Sequence, residues 1–286
     1  MALKRVDDDF QTDHVGEWTP AVVTEVRADS IVAYAAAVGE TDPRLLSGEQ
    51  APLLYGVVPS WDLVSDTIKR TVPVAARGRL VHGEHIIRSA RPLRAGDRLS
   101  SRARLVSVRP VSTGTVIVAE EESRDDDGRV LVHQFSTAFL LDVIAPEAVG
   151  TPPARPAVVH GDSAVVELPT DAGLPARYAA ASGDHSPIHL DDDAARAIGL
   201  PGVILHGMCS LAIAARAVVA AADGDPTRLR AIACRFTDVG YPGTPLVTTV
   251  TGAGAERGFR VDDPDGRAIL TSGWAELGAP DSEEVE

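Results

Sequence analysis

Cysteine is nearly absent from this 286-residue chain: Cys209 and Cys234 are the only two, far apart and outside any C-x-x-C spacing. That excludes a disulfide framework and a cysteine-built zinc site, and leaves both as small core residues. Lysine is as scarce, with Lys4 and Lys69 alone. No stretch stays uncharged long enough to cross a bilayer, and the start, MALKRVDDDFQTDHVG, lacks the apolar run of a secretory signal. The expected location is therefore the cytoplasm. Positive charge is also in deficit: 27 Lys and Arg against 41 Asp and Glu give a net −14 at pH 7. A field of that sign repels nucleic acid and anionic lipid, so neither is an expected partner.

What is present is apolar content, 44% of residues, enough to build one large core or two medium ones. The chain also repeats itself. ADSIVAYAAAVGETDPRL (28–45) lies over GLPARYAAASGDHSPIH (173–189) in a register set by Tyr-Ala-Ala-Ala: Tyr34 faces Tyr178, Gly39 faces Gly183, Glu40 faces Asp184 and Pro43 faces Pro187, but Leu45 faces His189. LLYGVVPSWDLV (53–64) then matches ILHGMCSLAIAA (204–215), pairing Gly56 with Gly207, and HIIRSARPLRAGDRL (85–99) matches AIACRFTDVGYPGTPL (231–246). This predicts two modules, residues 1–148 and 160–286, joined by a proline-rich linker at 149–159. Each reads as a short helix ending at glycine, a loop, an apolar helix and then alternating stretches typical of antiparallel strands. The fold class is α+β, a helix on a curled sheet twice over, with the two sheets joined edge to edge.

The second copy alone keeps SGDHSPIHL (182–190). Gly183 lets the chain leave a helix sharply, and Pro187 stiffens the loop, so Asp184 and His189 can hold one water molecule between them. Histidine titrates near neutrality and can accept or return a proton. The helix expected to start at His206 and Gly207 leaves N–H groups unpaired, and the Gly207 amide is the candidate donor to an oxyanion on a carbonyl. Acid, base and oxyanion site together suit water addition or proton abstraction beside a thioester carbonyl. Other readings stand beside this one. Asp184 can cap a turn, and His206 can be a packed or capping residue. A metal held by Asp184 and His189 lacks a third ligand nearby in sequence, with His185 the only local option. Asp191, Asp192 and Asp193 suit the start of a short helix.

RYAAASGDHSPIHLDDDAARAIGLPGVILHGMCSLAIAARAV and RLRAIACRFTDVGYPGTPL resemble the MaoC-like hydratases of the hydratase 2 type, and LVHGEHIIRSARPLRAGDRL carries the likeness into the first half. The resemblance implies a double hotdog fold and reversible (R)-specific hydration of trans-2-enoyl thioesters of CoA or acyl carrier protein, with no metal or redox cofactor. By position it makes Asp184 and His189 the catalytic pair and Gly207 the oxyanion donor, with Gly183, Ser186, His206, Tyr241 and Trp61 as substrate-side residues and a homodimer as a possible assembly. Ser186 stands where the family usually has asparagine. HGE at 82–84 lies at the start of an expected strand and is not equated with HGM at 206–208. Pro59 and Trp61 interrupt the first copy's helix; we expect this half to be catalytically silent and to receive the acyl chain near Leu54, Val57, Val58 and Trp61, residues that ordinary core packing explains equally well. Arg88, Arg91, Arg94, Arg98, Arg102 and Arg104 suit either phosphates or a strand face balanced by acids. A hotdog thioesterase and a non-catalytic acyl-thioester binder are the alternatives.

Overall fold

The computed structural model describes residues 4–5 and 10–279. In chain order these form β1 (Lys4–Arg5), β2 (Val22–Glu25), α1 (Ala28–Ala37) and α2 (Pro43–Leu46). A 3-10 stretch (Leu53–Ser60) then runs into α3 (Trp61–Thr71). After a 3-10 turn follow β3 (Leu80–Ser89), β4 (Arg98–Val111), β5 (Gly114–Arg124), β6 (Val130–Leu141), β7 (Val143–Ile144) and β8 (Val149–Gly150). The second half holds β9 (Ser163–Leu168), α4 (Leu174–Ser182), α5 (Asp192–Ala197), α6 (Gly207–Ala220), β10 (Leu229–Phe236), β11 (Leu246–Thr251), β12 (Glu256–Asp262) and β13 (Ala268–Leu277). Among the described residues no helix is long and apolar enough to cross a membrane.

The long strands make one continuous antiparallel sheet in the order β2-β4-β5-β6-β3-β10-β13-β12-β11-β9, with β8 added beside β4. The α+β expectation holds, including the joining of the two halves edge to edge through β3 and β10. There Arg88 lies opposite Ala231 and Cys234 opposite His85. The repeat aligns His85 with Ala231 and Arg88 with Cys234, so each residue sits across from the equivalent of its partner's counterpart. A two-fold axis between the strands requires that swap. Tyr34 and Tyr178, equivalent in the repeat, meet near the same axis with ring centroids 5.7 Å apart.

Alternation explains which face each strand buries. In β4, Leu99, Ser101, Ala103 and Leu105 are buried, whereas Arg102 and Arg104 face outward over the Trp18 ring. Helix α6 is apolar on all sides, and from Met208 to Val219 only Arg216 escapes burial, so it is the central helix of the second half. The first half keeps the expected interruption: the stretch equivalent to the start of α6 is 3-10, and α3 begins only after Pro59, with eleven residues against fourteen in α6; it lays Val64 and Ile68 on Ala103, Leu105 and Ile117. Pro59 lies inside the 3-10 stretch, two residues before α3 begins, so its missing N–H removes no bond from the α-helix itself.

Of the six hairpin arginines, five pair with carboxylates: Arg88 with Glu276, Arg91 with Asp97, Arg98 with Asp126, Arg102 with Glu122 and Arg104 with Glu120. The hairpin is therefore a balanced strand face. On the inner side of the same strands a buried polar seam divides two apolar clusters. Ser101 meets Ser123 at 2.6 Å, Ser123 donates to Glu121, and Gln134 donates to both Glu121 (2.8 Å) and Ser60 (3.1 Å). Burial pushes Glu121 up to about 7.

Candidate active site

Helix α4 ends at Gly183, whose φ of 81° is the left-handed turn that favours glycine. Asp184 follows as the hinge of a tight turn. Its Oδ1 accepts from the Ser186 N–H at 3.1 Å, and its own N–H donates to Ser182 Oγ at 3.2 Å. The capping reading and the catalytic reading are thus compatible, since one carboxylate oxygen is held and the other has no hydrogen bond among the described residues. Pro187 opens a single 3-10 turn that carries His189 inward to 8% exposure.

The tautomer of His189 follows from its partner. Nδ1 lies 3.0 Å from the Ile204 carbonyl oxygen, which can only accept, so Nδ1 bears the hydrogen and Nε2 keeps its lone pair. Burial lowers the pKa of His189, opposed by that carbonyl and by the Asp184 carboxylate. The ring is neutral at neutral pH, with a basic nitrogen to offer.

His206 resolves in favour of both packing and the site. Its ring stacks on His189 at 3.8 Å and 26° and leans on Tyr178 at 4.9 Å. Nε2 donates to the Asp184 backbone carbonyl at 3.0 Å, which ties the loop to the start of α6. Burial and the neighbouring His189 push it down to about 4, against the Asp184 carboxylate. A carboxylate oxygen of Asp184 and one nitrogen of each ring lie within 4.8 Å of one another. The third potential metal ligand that spacing alone did not supply is therefore His206. The fit is poor, however: an ion must lie in the plane of each ligating imidazole, and two nearly parallel rings stacked face to face have no common in-plane point close by.

Gly207 is the first residue of α6. The first helical bond there runs from Ser210 N–H to the His206 carbonyl, so the N–H groups of Gly207, Met208 and Cys209 have no partner within the helix. A Cβ at Gly207 would stand 3.0 Å from two ring carbons of Phe236. Only glycine lets the helix start sit so close to that ring.

Against Phe236 packs His82, at 4.4 Å and 37°. Burial drives His82 down to about 4, and Asp184 is near enough to pull the other way. Its Nε2 lies 3.3 Å from Ser136 Oγ and 3.4 Å from His85 Nδ1. His82 does lie near the start of a strand, β3, but the strand delivers it to this site. The available signal was the two-fold relation, which sets β3 against β10 and so His82 near Phe236. The remaining candidates disperse. Ser186 stays in the loop beside Asp184. Tyr241 follows Gly240, whose carbonyl accepts from Leu205 N–H at 2.8 Å, and its ring lies beneath Arg267. Trp61 heads α3 and packs on the main core with Val58, where Leu54 and Val57 are buried.

Comparison with known proteins places these features in context. A family profile described as "MaoC like domain" matches residues 159–272, and one described as "FAS1-like, dehydratase domain region" matches residues 13–134. The chain is 31% identical over 209 residues to the peroxisomal multifunctional enzyme type 2 of Drosophila melanogaster, covering 69% of this chain and 34% of that enzyme, so it spans about a third of that relative's length. It is 32% identical over 213 residues to 3-hydroxyacyl-thioester dehydratase Y of Mycobacterium tuberculosis, covering 69% of this chain and 72% of that one. Among solved structures, a MaoC-like dehydratase from Phytophthora capsici superposes with a TM-score of 0.80 at 22% identity, covering 92% and 97% of the two chains. A conserved hypothetical protein of Mycobacterium tuberculosis described as having a double hotdog fold gives 0.60 at 16% identity, covering 92% and 95%.

Proposed function

We propose, from the premise that this chain belongs to the MaoC-like dehydratase family, that it is a hydro-lyase catalysing the reversible hydration of trans-2-enoyl thioesters to (3R)-3-hydroxyacyl thioesters. The observation that carries the reading is the meeting of the Asp184 carboxylate with the His189 ring at the start of α6, with His189 held in the tautomer that leaves Nε2 basic. In the hydration direction the thioester carbonyl accepts a hydrogen bond from the Gly207 N–H, which draws electron density from the conjugated double bond. A water held between Asp184 and His189 gives up a proton to the pair as its oxygen bonds to the third carbon. The π electrons move toward the carbonyl, and the same proton is then delivered to the second carbon on the same face. Asp184 is assigned as base toward water, and His189 as the partner that orients the water and shuttles the proton. His206 positions the loop.

The acyl group is assigned to the first half, a placement supported by the reach of His82 into the site. A CoA or acyl carrier protein thioester, a cytoplasmic location and a homodimer complete the proposal. The test is incubation with crotonyl-CoA, following the conjugated absorbance and free thiol together, with chiral analysis of the product. Loss of absorbance without thiol release, yielding the (R) alcohol, is expected; thiol release would make the chain a thioesterase, and no reaction would make it a binder.

A further inference from the structure

One cavity lies apart from the Asp184–His189 site. It has a volume of about 280 Å³ and is lined by Tyr34, the partner of Tyr178 across the two-fold axis, although Tyr55 and Gly56, the equivalents of His206 and Gly207, stand outside its wall. Glu40, the equivalent of Asp184, is in its wall, whereas Leu45, the equivalent of His189, has turned into the core at 1% exposure. The missing imidazole is replaced by a cation from the other half. Arg216, the one residue of α6 from Met208 to Val219 that is not buried, reaches the loop after α1 and donates from Nη1 to the Val38 carbonyl at 3.0 Å. Room for it exists because residue 39 is glycine: a Cβ there would stand 2.9 Å from Arg216 Nη1. Leu54, Leu168, Ala212, Val219 and Leu229 supply apolar wall.

We infer that this cavity is a separate binding site for a medium-chain carboxylic acid, its carboxylate on the Arg216 guanidinium and its chain along the apolar wall. Arg216 makes no ion pair among the described residues, and its single assigned bond leaves N–H donors to spare. Asp42, the other acid of the wall, is already held by Arg44 at 2.7 Å. Glu40 is pushed up to about 7 by burial, offset by Arg216 and reinforced by Asp42, so near neutrality it can meet a carboxylate as a hydrogen-bond donor. A cavity of this size lies close to the lower end of small-ligand sites and accommodates about ten non-hydrogen atoms, the size of octanoate. Leu54 belongs both to this wall and to the expected acyl pocket, so the inference rests on the acyl chain of the proposed reaction lying elsewhere in the first half, and competition by a medium-chain CoA ester separates the two.

Octanoate is the probe, titrated by calorimetry into the full chain. One saturable site per chain is expected, with the same affinity in Asp184→Asn, and undisturbed by saturating 3-hydroxyoctanoyl-CoA, whose chain is long enough to compete if the cavity were the acyl channel. Arg216→Leu removes a charge-assisted contact and is expected to weaken binding by about tenfold or more while leaving kcat/KM for crotonyl-CoA as in wild type. Ala220→Phe, at an exposed position of the cavity wall, leaves every polar partner in place and is expected to block binding by occupying the space. Absence of saturable binding up to about 10 mM would overturn the inference. So would displacement of octanoate by the CoA ester, which would put the acid in the catalytic acyl channel instead.

Discussion

Gly207→Ala is the sharpest probe of the proposed oxyanion site, because the added methyl group has one obstacle. Its carbon would stand 3.0 Å from both Cδ1 and Cε1 of Phe236, whereas carbon atoms settle at about 3.5–4.0 Å, so about 0.5 Å must be recovered. Phe236 cannot easily yield. Its strand pairs with β13, and its ring is backed by His82, which in turn stands against His85 at 5.3 Å. The helix start therefore moves, carrying the amide that is to hold the thioester oxygen. Complete loss of an oxyanion donor costs about 10²–10³ in kcat, and a 1 Å misplacement about 10²; a shift of half that size is expected to lower kcat about tenfold. Overpacking is expected to cost about 1–3 kcal/mol of stability. Phe236→Leu makes room for the methyl, so the double variant is expected to regain most of the kcat of Phe236→Leu alone. Steady-state kinetics on crotonyl-CoA, with thermal unfolding of all four proteins, completes the cycle. Wild-type kcat in Gly207→Ala, or no recovery in the double variant, would refute the placement of the oxyanion at this amide.

Asp184→Asn keeps an oxygen to accept from Ser186 N–H, so folding should persist while kcat falls by about 10²–10⁴, the usual share of general acid–base catalysis; an unchanged kcat would remove Asp184 from the base role. Activity should also depend on pH through His189. Burial lowers its pKa below the ordinary 6.5, so hydration should still stand above half its maximum at pH 6.5 and fall further in more acidic solution, as kcat/KM profiles will show; a loss already complete at pH 7 would contradict a buried neutral ring. Stability should peak near pH 6.5. Unfolded histidines take up protons near 6.5, whereas His82 and His206 resist until about 4 and His85 until about 3. Their contribution is therefore fully present above 6.5 and lost as pH falls. Glu40 and Glu121 act in the opposite sense, holding protons to about 7 that an unfolded glutamate releases near 4.5, so stability declines as pH rises through that window. Unfolding midpoints measured from pH 5 to 8.5 should trace a maximum; a continuous rise to pH 8.5 would show that these carboxyls are not buried as described.

The parts of the site legible in the sequence are those whose geometry is local. Gly183, Asp184, Pro187 and His189 fall within seven residues, and their turn is dictated by a left-handed glycine, an Asp-capped loop and a proline. The repeat extended that reach, because two copies of one module imply an axis, and the axis implies the joining of β3 and β10. What stayed hidden depends on side chains brought together by register. Nothing in HGE at 82–84 says that its histidine will lean on Phe236, since that contact needs the pairing of Glu84 with Arg235 across the two halves. Glu121 is the middle one of three consecutive glutamates: alternation turns Glu120 and Glu122 toward Arg104, Arg102 and Arg124 and leaves Glu121 inside. The basic hairpin misleads in the same way: its arginines cluster in sequence, but antiparallel pairing sets carboxylates of the next strand beside Arg102 and Arg104. Local chemistry survives translation into structure, whereas charge balance is decided by which strand lies next door. A single copy of the motif therefore sufficed to locate the catalytic loop, but the wall opposite it had to come from the sheet.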